Sequence, residues 1–78
     1  MLTKSMLALA RHALKEEVIV LEEEYQWMKW QCASLFNDHG PTSKEFKAAL
    51  GVKERTWDRL RRMQNALRAM RKEYEALP

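Results

Sequence analysis

The fold turns on residues 44–62, KEFKAALGVKERTWDRLRR. Lysine, alanine, leucine, arginine and glutamate make most of this stretch a strong helix former, and Gly51 and Val52 interrupt it. Either one helix carries a glycine in its interior, at about 1 kcal/mol relative to alanine, or the glycine is the turn between two helices. Counted from Gly51, apolar residues stand five before (Phe46), one before (Leu50), one after (Val52), six after (Trp57) and nine after (Leu60). That spacing predicts a turn, with a short helix over about 43–50 and a longer one over about 53–76. A heptad seam follows within one turn: Leu60, Met63, Leu67, Met70, Tyr74 and Leu77 alternate at three and four residues.

Upstream, NDHGP at 37–41 ends another helix. Gly40 can take the left-handed conformation that closes a helix, and Pro41 cannot continue one. Thr42 and Glu45 have capping-box spacing, so the next helix should begin near Ser43. The segment before the stop, about 3–37, repeats every seven residues at Leu7, Leu14, Leu21, Met28 and Leu35, and again, offset by four, at Arg11, Val18, Tyr25 and Cys32. This is the seam of coiled-coil-like packing, with Arg11 the one polar member, near an end where it can reach solvent. The first fifteen residues, MLTKSMLALARHALK, lack acids and carry three bases, as a targeting segment would. The same periodicity runs on into EEVIVLEEEY, so they are read as the start of this helix.

The chain is therefore expected to be all-α: one domain over 1–78, an antiparallel hairpin of two long helices with a short helix at its tip. A turnaround between about 38 and 52 sets Met28 near Leu60 and Leu14 near Tyr74. It brings Glu17, Glu22 and Glu24 toward Arg68, Arg71 and Lys72. Trp27, Trp30, Phe36, Phe46 and Trp57 are expected to form an aromatic core at the tip. Leu9, Ala13, Val20, Trp27 and Trp30 lie off the leucine seam. Trp27 and Trp30, near the tip, can cover the short helix, and a second apolar face on a small protein marks an interface, here Leu9, Ala13, Val20 and Trp27. A homodimer or a protein partner is the expected occupant.

Seventy-eight residues bury only a thin core. At 46% hydrophobic and 32% charged, the chain is neither disordered nor membrane-like in composition. A purely apolar run such as Val18–Leu21 is far too short for a bilayer span. A lone Cys32 excludes an internal disulfide and points to a reduced, cytoplasmic setting. The net charge of +3 is split: residues 1–40 hold four bases and six acids, residues 41–78 ten bases and five acids. An excess of bases in one half predicts an anionic partner for that half, unless the two halves neutralise each other.

The pattern around Gly51 resembles the helix-turn-helix superfamily of DNA-binding domains. LGVKERTWDRLRR in particular is similar to the turn and recognition helix of small bacterial and phage regulators. The resemblance covers residues 43–62, about a quarter of the chain. Four before the glycine, where the family usually has a small residue, this chain has Lys47. The resemblance implies a dimeric transcriptional regulator that contacts duplex DNA through Lys53, Arg55, Arg59 and Arg62, with Glu54 and Asp58 at neighbouring contact positions. Helical geometry alone puts Arg55, Arg59 and Arg62 on one face, opposite Leu60 and Met63. Guanidinium groups suit guanine edges and phosphates. Ser43 and Lys44, at a helix N-terminus, could hold a further phosphate.

Nothing points to an enzyme. His12 and His39 have no ligands at metal spacing, Cys32 has no activating neighbour, and no glycine-rich phosphate loop occurs. No cofactor or metal is expected. The rival to DNA binding is a non-enzymatic interaction module, an adaptor, chaperone or small inhibitor that docks a helix face on a host protein. It is motivated by the second apolar face of the first segment.

Overall fold

The computed structural model describes residues 3–78, and it contains two helices: α1, Lys4–His39, and α2, Lys44–Ala76. They pack antiparallel as a hairpin 56 × 15 × 15 Å. A 36-residue helix is about 54 Å long, so α1 alone accounts for the long axis.

The short tip helix is not formed. Residues 44–76 make one helix, and Gly51 lies inside it without a positive φ. The reason is the phase of the seam. Phe46, Ala49, Lys53 and Thr56 precede Leu60 at the same three-and-four spacing that Met63 to Leu77 continue, and all four are half-buried. A turn at Gly51 would reset that phase, and none is needed to bury these positions against α1. Two polar members hide the continuity from a count of apolar residues. Thr56 satisfies its hydroxyl by donating to the carbonyl of Val52 at 2.9 Å, one turn back on its own helix. Lys53 is half-buried, which a long aliphatic stem allows.

The reversal is instead made by residues 40–43. Gly40 has φ 85° and donates its N–H to the carbonyl of Phe36 at 2.9 Å, closing α1. Ser43, rather than Thr42, caps α2: its Oγ accepts from the Phe46 N–H at 3.1 Å. The same hydroxyl donates to the carbonyl of Gly40 at 3.2 Å, so one side chain ties the end of α1 to the start of α2. At the far end Thr3 caps α1 through the Met6 N–H.

The heptad seam of α1 forms along its whole length. Leu7, Val18, Leu21 and Cys32 are buried, and Arg11, Leu14, Tyr25, Met28 and Leu35 are half-buried. Leu60 is the one buried residue of α2, and it packs with Val18 and Leu21, flanked by Tyr25, Met63 and Leu67. The expected register is therefore corrected: Leu60 sits at Leu21, about two turns before Met28. The tight turn shortens the reversal and slides α2 along α1. It also carries Arg68, Arg71 and Lys72 past the acidic cluster. The acid–base contacts among the described residues, His12–Glu16 and Arg71–Glu75, each lie within one helix.

Arg11 is half-buried rather than free in solvent. It lies under Tyr74, with the guanidinium carbon 5.6 Å from the ring centroid, while Lys4 Nζ approaches the same ring at 4.8 Å. Its Nε is buried without a hydrogen-bond partner. The expected aromatic core at the tip is likewise absent. The aromatic residues form separate pairs, Phe36 with Phe46, Tyr25 with Trp57 and Trp27 with Trp30, because they project from different sides of their helices.

Candidate functional site

Two helices cannot bury a helix on more than one side, and α1 is apolar on two. Opposite its seam runs a second line at the same spacing: Met6, Leu9, Ala13, Glu16, Val20, Glu23, Trp27 and Trp30. All eight are exposed. Leu9 is 72% exposed, Trp27 56% and Trp30 63%. The two indoles lie on one another, centroids 5.5 Å apart and planes at 30°, and present a flat aromatic plate to solvent. The sequence placed Leu9, Ala13, Val20 and Trp27 together here, and the structure keeps them on one face. Trp30, on the same face by its spacing, ends the line and Met6 begins it; Trp27 and Trp30 do not cover the start of α2, for both stand exposed.

The outer face of α2 has the opposite chemistry. Arg55, Arg59 and Arg62 are exposed within seven residues of one another, on the side away from Leu60. Arg62 Nε makes a long contact, 3.4 Å, to the backbone carbonyl of Asp58, and Arg55 lies over Gly51. No salt bridge among the described residues holds any of the three. Two of the other expected DNA contacts are not brought to this row. Lys53 is half-buried on the seam side, and Ser43 has its hydroxyl engaged at both ends of the turn. Lys44 is exposed at the start of α2, on the same side as Arg55 and about three turns before it.

A shallow groove runs between the helices on one broad side, lined by Ile19, Glu22, Tyr25, Trp57, Leu60 and Gln64. It is open to solvent along its length and holds no cluster of nucleophile, base and charge. No group of three or more metal-ligating side chains occurs among the described residues. Cys32 is buried and free. Among the described residues, no helix is long and apolar enough to cross a membrane. No family model, curated protein or solved structure matches the chain.

Proposed function

We propose that this protein is a non-enzymatic helical interaction module that works through the outer face of α1. One observation carries the reading: a complete second heptad line, ending in the stacked Trp27–Trp30 plate, stands exposed on a helix whose other side already packs. Large aromatic side chains held rigid on a surface are the anchors of protein interfaces. A partner helix laid along Leu9, Val20 and Trp27 would cover them as α2 covers the leucine seam. The partner is a second copy, as in a homodimer, or a host protein. A photo-crosslinking residue at Val20 tests this in cells. It should trap a protein adduct that the same residue at Glu73 does not, and equal trapping from both sites would remove the reading.

A second reading rests on the arginine row of α2, and is that of a regulator binding duplex DNA. Without a turn at Gly51, the contact would be made by a single straight helix, which the major groove is wide enough to admit. Three unpaired guanidinium groups on one exposed face favour it. Duplex binding should then weaken steeply as salt rises and fall with Arg55→Ala/Arg59→Ala at unchanged helicity. Binding that ignores both changes would discard it.

A further inference from the structure

We infer that the outer face of α1 is covered by the outer face of α2 from a second copy of this chain, so that hairpins join head to tail. The inference rests on the interaction reading above and names its partner. Three observations converge on it.

The first is surface. A compact folded chain of 9.3 kDa exposes about 5,000 Å². This hairpin exposes 6115 Å². The excess, about 1,100 Å², is more than the ~800 Å² that one partner contributes to a standard interface.

The second is charge. Two copies of α1 packed outer face to outer face would bring Glu16, Glu17, Glu23 and Glu24 of each chain to one seam, with no lysine or arginine on that face to oppose them. The outer face of α2 carries the missing sign: Arg55 and Arg62 are seven residues apart, as are Glu16 and Glu23.

The third is shape, and it selects one register. Laid antiparallel with Glu16 opposite Arg62 and Glu23 opposite Arg55, the two helices set Trp27 opposite Gly51 and Trp30 opposite Ala48. The largest side chains of one face meet the smallest of the other. A side chain at Gly51 would otherwise point into open space, since only Arg55 Nη1, at 3.9 Å, comes near. Farther along, Leu9 falls opposite Ala69. Sliding by one heptad either way keeps only one pair between Glu16 or Glu23 and Arg55 or Arg62, and puts Trp27 opposite Asp58 or Lys44. A parallel arrangement of similar overlap puts Glu16 opposite Asp58. The chosen register sets three apolar residues against polar ones: Val20 opposite Asp58, Ala13 opposite Asn65 and Met6 opposite Lys72. It overlaps the helices for about 45 Å, with neighbouring hairpins staggered by only about 4.5 Å.

Each hairpin carries both faces on opposite sides, so the contact is heterologous and repeats, giving a ring or a filament rather than a closed two-fold dimer. In that assembly Arg55 and Arg62 are engaged by the neighbour's acids and are withdrawn from DNA.

The test is a charge-reversal exchange followed by light scattering and sedimentation across a concentration series. Wild-type protein should grow beyond two chains with concentration and shrink as salt rises. Glu16→Arg/Glu23→Arg and Arg55→Glu/Arg62→Glu should each be monomeric at full helicity by circular dichroism. Mixing the two variants should restore the wild-type mass, which also shows that neither was merely unfolded. Wild type that stays monomeric, or that stops at two chains, overturns the inference, as does a mixture that fails to recover. A monomeric wild type that still gives a Val20 adduct with another protein would overturn self-assembly alone and leave the interaction reading standing.

Discussion

The two glycines of the chain should respond to alanine with opposite sign, and the difference tests the fold directly. Neither site is crowded: a Cβ at Gly40 meets nothing within 4 Å, and one at Gly51 meets only the far end of Arg55 at 3.9 Å. Sterics therefore drop out and the backbone decides. Gly51 sits in ordinary helix, where glycine costs about 0.5–1 kcal/mol relative to alanine through the entropy of the unfolded chain. Gly51→Ala should recover that amount. For a domain of this size it corresponds to a rise in Tm of roughly 4–8 °C per kcal/mol. Gly40 has φ 85° and ψ 171°, a region essentially confined to glycine. Gly40→Ala should lose about 1–3 kcal/mol and lower Tm accordingly. The assay is thermal melting by circular dichroism at 222 nm, in solution dilute enough to hold single chains. If Gly51→Ala lowers Tm, Gly51 is in a turn and the continuous α2 is wrong. If Gly40→Ala leaves Tm unchanged, the reversal at 40–43 is wrong.

Three further outcomes follow from packing and capping. Leu60 is 3% exposed among Val18 and Leu21, so Leu60→Ala should cost about 2–5 kcal/mol. Against a total of about 4–12 kcal/mol for 78 residues, that unfolds much of the population, which urea titration would read. Ser43→Ala removes the cap of α2 and its tie to Gly40, and should cost about 1 kcal/mol, whereas Thr42→Ala should cost much less. Cys32 is buried, so a thiol reagent should label it only at the rate of opening, and Leu60→Ala should accelerate labelling by an order of magnitude or more.

Much of the architecture was legible from residue types. The leucine heptad of α1, the stop at Gly40 and Pro41, a helix start near Ser43 and the antiparallel reversal all follow from local chemistry. The continuity of α2 was not, because its seam passes through Lys53 and Thr56, which a search for apolar residues steps over. Glycine is also read as punctuation more readily than as a tolerated interior residue. Once the turn was placed too late, the register went with it, and with the register the expected ion pairs of Arg68, Arg71 and Lys72. The aromatic residues misled for another reason. Closeness in sequence near a hairpin tip says nothing about bearing around the helix, and Trp27 and Trp30 point away from Phe36 and Phe46. The candidate face itself, Leu9 to Trp27, was visible because its spacing repeats. What covers it was not, since complementarity appears only when the outward faces of both helices are set side by side.

The tie made by the Ser43 hydroxyl has a kinetic meaning as well. Phe36 and Phe46 are ten residues apart in the chain, Tyr25 and Trp57 thirty-two, and Lys4 and Tyr74 seventy. With the turn formed, each of these contacts closes only a small extra loop beyond the one before it. The hairpin can therefore assemble like a zipper from residues 40–43 outward, and come apart from the Lys4–Tyr74 end first. A lesion at the turn should slow folding, whereas an equal loss of stability at the open end should mainly hasten unfolding.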